Sequence, residues 1–238
     1  MKAPQTLSIW PLFTDLVFNL MGLFVVLYVI EFIKQKREGL ATQAVELVIV
    51  LDGSLTMSRH IAALTRSLAG MIEVVAMTLG FSVGLVVYRE ESVTVQPLTE
   101  VSTDNAAGTL ANLHEIELQR GGADVAAGIE AGLEMLGEPK PDRRQVLLVC
   151  SDVDGFEAEV LQGRPQQEIE DGTIERLEAW AQAEGTDRRV VSLWMGEASR
   201  SGFFKRLSEV NEPSVYCEDA SRMFYAMCRA ALTPGGEP

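Results

Sequence analysis

The stretch VELVIVLDGSLTM, residues 45–57, decides the fold. It opens as a nearly continuous apolar run and stops at an acid, Asp52. A strand covered on one face alternates apolar and polar residues. A run without alternation suits a strand buried on both faces, as in a parallel sheet between layers of helices. A second run, RQVLLVCSD (144–152), has the same character and also ends in an acid, Asp152.

Around these two runs the chain alternates strand-like and helix-like segments. FSVGLVVYRE (81–90) and SVTVQPL (92–98) read as a strand pair, with RRVVSLWM (188–195) and SVYCE (214–218) as later strands. MSRHIAALTRSLAGMIEVVAMTL (57–79) has helical periodicity and stops at Gly80, and DVAAGIEAGLEML (124–136) stops at Gly137. Further helices are expected near 104–113 and over 173–184, 199–210 and 220–232. The alternation predicts an α/β fold, a three-layer, Rossmann-like arrangement with a mostly parallel central sheet. In such sheets sites form at the C-terminal ends of the strands, where Asp52 and Asp152 fall.

Charge excludes one class of partner. Residues 1–38 hold four Lys or Arg and three acids, while the whole chain stands at −14, so the later part is strongly acidic. Such a surface repels phosphate backbones, and no nucleic acid is expected as partner. Cys150, Cys217 and Cys228 have no metal-ligand spacing, and Cys150 sits in an apolar run as a small core residue. No G-x-S-x-G, phosphate loop, HExxH or C-x-x-C occurs, so no enzyme is expected. His60 and His114 read as isolated surface residues, Trp180 and Trp194 as core, and the acids of 157–178 as a solvated surface.

The N-terminal part is different in kind. SIWPLFTDLVFNLMGLFVVLYVIEF (8–32) is apolar, and Trp10 to Ile30 at ~1.5 Å per residue is long enough to cross a bilayer core of ~30 Å. Trp10 and Tyr28 stand where interfacial aromatics do, and no A-x-A cleavage site follows. A retained single span is expected. Asp15 lies inside it, on a helical stripe with Asn19, Gly22 and Val26. An acid in hydrocarbon costs at least ~2.5–3.5 kcal/mol on insertion scales, so it usually faces protein or water. A carboxylate near the boundary that snorkels to the headgroups is the simpler alternative.

The run PLFTDLVFNLMGLFVVLYVI resembles the transmembrane helix of the flagellar stator B subunit and its ExbD and TolR relatives. That resemblance implies a homodimer inside a polytopic ring of MotA/ExbB/TolQ-like subunits, with Asp15 carrying H⁺ or Na⁺ and Thr14 and Asn19 assisting. It also implies a bacterial inner-membrane location with the C-terminal domain in the periplasm. Lys34, Lys36 and Arg37 after the span pull toward the opposite orientation.

The two acid-ended strands resemble the von Willebrand factor A domain from about residue 44 to 232. That family has D-x-S-x-S after its first strand, a Thr in a Gly-rich loop and an Asp after its fourth strand. Asp52, Ser54 and Thr56 match the first motif, Asp152 the distal Asp, and GGAD (121–124) the loop, with Ala123 replacing the metal-facing Thr. YRE (88–90) with GGAD is also similar to a branch having YRD and GGGD. The resemblance implies a MIDAS-like site for Mg²⁺ or Ca²⁺ at Asp52, Ser54, Thr56 and Asp152, with Asp124 to make good the missing Thr. Such hard cations take carboxylate and hydroxyl oxygens and often one ligand from a partner. Two simpler roles compete: Ser54 or Thr56 as a helix N-cap, and Asp152 as a strand terminator.

The expected organisation is therefore an N-terminal tail and transmembrane helix (1–33), a linker (34–44), the A-type domain (45–232) and a short tail (233–238). Two functions follow. One is the B-type subunit of an ion-driven membrane motor, whose A-type domain recognises a protein or transmits force. The alternative is a membrane-tethered interaction module whose helix is only an anchor.

Overall fold

The computed structural model describes residues 44–75, 80–114, 116–140, 142–152, 163, 165–184, 187–195, 202–210 and 215–216. The apolar segment with Thr14, Asp15 and Asn19 lies outside them, as do Cys217, Cys228, the helix expected over 220–232 and the tail. Among the described residues no helix is long and apolar enough to cross a membrane.

Among the described residues six strands form one sheet: β1 (Ala44–Asp52), β2 (Phe81–Tyr88), β3 (Ser92–Glu100), β4 (Arg143–Ser151), β5 (Asp187–Trp194) and β6 (Val215–Tyr216). Their order is β3-β2-β1-β4-β5-β6. Every pairing is parallel except β2 with β3, which are antiparallel, as expected for neighbours joined by a short turn. The two apolar runs are thus the central pair, β1 beside β4, with Leu51 opposite Cys150.

Helices cover both faces, which is why β1 and β4 show no alternation. Leu47, Ile49 and Leu51 of β1 join Val146, Leu148 and Cys150 in one core layer. Over it lies α1 (Ile61–Val75), which buries Leu64, Leu68, Met71 and Ile72. Val48 and Val50 point the other way, into a layer with Leu147 and Val149. That layer is covered by α3 (Val125–Leu136), α4 (Gln166–Ala181) and α5 (Gly202–Leu207). Helix α2 (Ala106–His114) stands beside α1. Cys150 and Trp194 are core residues, and Trp194 meets Phe204 edge-on at 5.6 Å. Trp180 is only half-buried, with the Arg188 guanidinium 4.9 Å above its ring.

Three local expectations need correction. The helix expected from Met57 begins as a separate 3-10 turn, Leu55–Arg59, and α1 starts at Ile61. Helix α4 begins at Gln166, ahead of the expected residue 173. Its first turns are polar and are held by Pro165 at the N-cap and by Gln166–Glu170 and Gln167–Asp171 pairs at i,i+4, so apolar periodicity does not reveal them. The acids of 157–178 are not all solvated, because Glu170 is buried and takes a hydrogen bond from Gln166.

Glu46 is a second buried acid, inside β1. It accepts from Lys140 at 2.7 Å, Arg143 at 3.2 Å and Gln145 at 3.1 Å, all at the N-terminal edge of the sheet. Its two cations are partly exposed and can rehydrate, so Glu46→Ala is expected to cost about 1.5–3 kcal/mol, the range for hydrogen bonds to a charge. Urea denaturation reads that directly, and an unchanged midpoint would mean that the cluster contributes nothing.

Candidate functional site

The opposite edge holds the acids. Asp52 is the last residue of β1, and the chain turns sharply after it at Gly53. The turn is held by Gly53 N–H donating to Tyr88 O and by Gln119 N–H donating to Gly53 O. A Cβ at Gly53 would lie 2.6 Å from Val87, so the backbone passes where no side chain fits.

The turn delivers its polar groups to one point. Ser54 N–H donates to Asp52 Oδ1 at 2.8 Å. The Ser54 and Thr56 hydroxyls are 2.7 Å apart, and Thr56 donates to Asp152 Oδ1 at 2.9 Å. From β4, Ser151 donates to Asp52 Oδ2 at 3.0 Å. Asp52, Ser54, Thr56 and Asp152 thus form one hydrogen-bonded cluster, joined by Ser151, which sequence reasoning missed. Ser54 occupies the N-cap position of the 3-10 turn but makes no capping bond with its side chain. Its hydroxyl is committed to the cluster instead.

Burial dominates the electrostatics. Asp52 is fully buried, and desolvation raises its pKa against the hydrogen bonds from Ser54 and Ser151, with Asp152 adding to the rise. Asp152 is also raised by burial, opposed by the Thr56 hydrogen bond and by the nearby His60 and Arg59. His60 is therefore less isolated than its sequence context suggests. Among the described residues neither acid is in an ion pair.

Asp124 and Ala123 lie apart from this chain of bonds. The Asp124 carboxylate accepts from Ala127 N–H at 3.0 Å and caps α3. Ala123 is fully buried in the apolar layer with Val50 and Tyr88. The YRE and GGAD segments do meet: Asp124 N–H donates to Arg89 O at 2.8 Å, and Gly121, at φ +148°, faces Glu90. Beside the cluster they line a cavity of about 290 Å³ with Gln119 and Val93.

Residues 47–156 match the family model of the von Willebrand factor type A domain. This is a von Willebrand factor A fold. No curated protein matches the chain. Among solved structures, the pilus adhesin SpaC of Lactobacillus rhamnosus GG is similar at TM-score 0.60 and 13% identity, over 79% of this chain and 30% of that one. The PilB minor pilin of Streptococcus sanguinis matches at TM-score 0.53 and 12% identity, over 78% of this chain and 59% of that one. Proximal thread matrix protein 1 from the mussel byssus, with a zinc-occupied MIDAS motif, matches at TM-score 0.53 and 13% identity, over 77% and 46%. The chain spans less than two thirds of each of these proteins, and the identities speak for the A-type fold alone.

A-type domains typically hold a divalent metal at a MIDAS site, and the donor set here fits one. Two buried carboxylates without ion-pair partners face two hydroxyls, all hard oxygens of the kind Mg²⁺ and Ca²⁺ take. Asp52, Ser54, Thr56 and Asp152 would hold the ion, which would offset the buried negative charge and leave a position for an incoming oxygen. Among the described residues no group of three or more His, Cys, Asp or Glu side chains gathers, so hydroxyls would carry part of the coordination.

Proposed function

We propose that this protein is a non-catalytic recognition module, in which the A-type domain grips a protein partner at the C-terminal edge of its sheet through a divalent cation. The observation that carries the proposal is the bonded cluster of Asp52, Ser54, Thr56 and Asp152, two buried acids arranged with hydroxyls where such sheets bind. An adhesin and a minor pilin with the same fold support it. The apolar run 8–32 serves as a single-pass membrane anchor. The motor-subunit reading draws on Asp15 and that run alone, whereas fold and relatives favour the recognition module.

The test uses the full-length chain in mild detergent. Mg²⁺ or Mn²⁺ is expected to raise its melting temperature over that in EDTA, since a ligand at 100 times its Kd adds about 2.7 kcal/mol. The chain immobilised over an envelope extract should then retain a protein in Mg²⁺ and release it in EDTA. Melting indifferent to both cations, or retention indifferent to EDTA, would refute the reading.

A further inference from the structure

The polar row at the end of the sheet extends one strand beyond the cluster. Strand register places Tyr88 of β2 beside Asp52 of β1, and Ser151 of β4 reaches Asp52 from the other side. The Tyr88 ring belongs to the core layer beneath α3, in which Val48 and Val50 also lie. It is fully buried, and among the described residues its hydroxyl has no hydrogen-bond partner. Burying a hydroxyl without a partner is costly, so an orphan of this kind asks for an explanation.

Helix α3 packs closely on the ring. The backbone of α3 at Gly128 lies so close that a Cβ there would be 2.7 Å from Tyr88 Cβ and 2.8 Å from Cδ1. The polar neighbours of the phenol are those of the cluster. Burial raises its pKa well above the usual range, and the Asp52 charge adds to this. Ser151 already donates its proton to Asp52, so toward Tyr88 it can only accept.

We propose that Tyr88 is a positioning residue of the cation site, held behind Asp52 by Gly128 so that its hydroxyl donates to Ser151 and Ser151 to Asp52. A chain of O–H donors ending on a carboxylate strengthens along its length. One oxygen of Asp52 is then fixed from behind. Tyr88 opens the YRE segment (88–90), outside D-x-S-x-T and GGAD, and it brings a hydroxyl to a site where Ala123 supplies none.

The inference rests on the cation reading above, and the experiment separates the two. Mn²⁺ binding to the full-length chain in detergent is measured by titration calorimetry for wild type, Tyr88→Phe and Ser151→Ala. Tyr88→Phe keeps the ring, so its melting temperature in EDTA should be unchanged or higher, while Mn²⁺ affinity falls about tenfold or more, as when outer-shell partners are removed. Ser151→Ala should weaken Mn²⁺ in the same direction. Wild-type affinity in Tyr88→Phe would overturn the role of Tyr88 and leave the cation site standing. No Mn²⁺ binding by wild type would overturn both.

Discussion

Asp52→Asn is expected to abolish divalent-cation binding and, in chelator at neutral pH, to leave the domain more stable than its parent. Asp52 is fully buried and its pKa lies above the ordinary 3.8, burial outweighing the hydrogen bonds from Ser54 and Ser151. The sign follows from linkage. Well below pH 3.8 folded and unfolded states both hold the proton, and the residue costs nothing. As pH rises through 3.8 toward the higher folded value, the unfolded state releases the proton first and stability falls. Asp152 is displaced in the same direction and adds to the loss. Thermal melts from pH 4 to pH 8 in EDTA should therefore fall with pH for the parent, and less so for Asp52→Asn. With Mn²⁺ present the parent should regain stability as pH rises, and the variant should not. A variant that still binds Mn²⁺, or that melts below the parent at pH 7 in EDTA, would remove Asp52 from the centre of the site.

The second large effect belongs to the closely packed helix α3. Gly128→Ala puts a methyl against the Tyr88 ring, and one turn on Gly132→Ala would put one 2.7 Å from Leu147 Cδ1 and 2.8 Å from Val50 Cγ2. These neighbours sit in the middle of the core and have nowhere to go. Overpacking costs typically ~1–3 kcal/mol, against which Ala returns roughly 1 kcal/mol of helix propensity. The melting temperature should drop by about 2–4 °C for each net kcal/mol lost. On α4, a Cβ at Gly172 would meet nothing within 4 Å, so Gly172→Ala should raise the melting temperature through propensity alone. Equal shifts at 128 and 172 would show that α3 has room to move outward.

The two central strands were readable because burial on both faces removes alternation, and their closing acids mark where the chain leaves the sheet. Asp52, Ser54, Thr56 and Asp152 were readable because the motif spacing survives. Ser151 was not, and Tyr88 was visible only as the first residue of YRE (88–90), since their places beside Asp52 depend on register across β2, β1 and β4, which no single strand displays. Ser151 had one visible cue, its place directly before Asp152 at the end of an apolar strand. Asp124 was expected only as a metal ligand making good the missing Thr, and it is the contact with Ala127 N–H that shows it capping a helix. Glu46 was hidden because an acid in an apolar run looks exposed until its cations arrive from Lys140 and Arg143, far along the chain.

The placement of β1 has a mechanical consequence. The proposed partner site at Asp52 and the start of the strand at Ala44 lie at opposite ends of one strand, paired with β2 on one side and β4 on the other. Tension between them runs along that strand and loads both ladders in shear, with many hydrogen bonds sharing the force. It does not peel them open one at a time from an end.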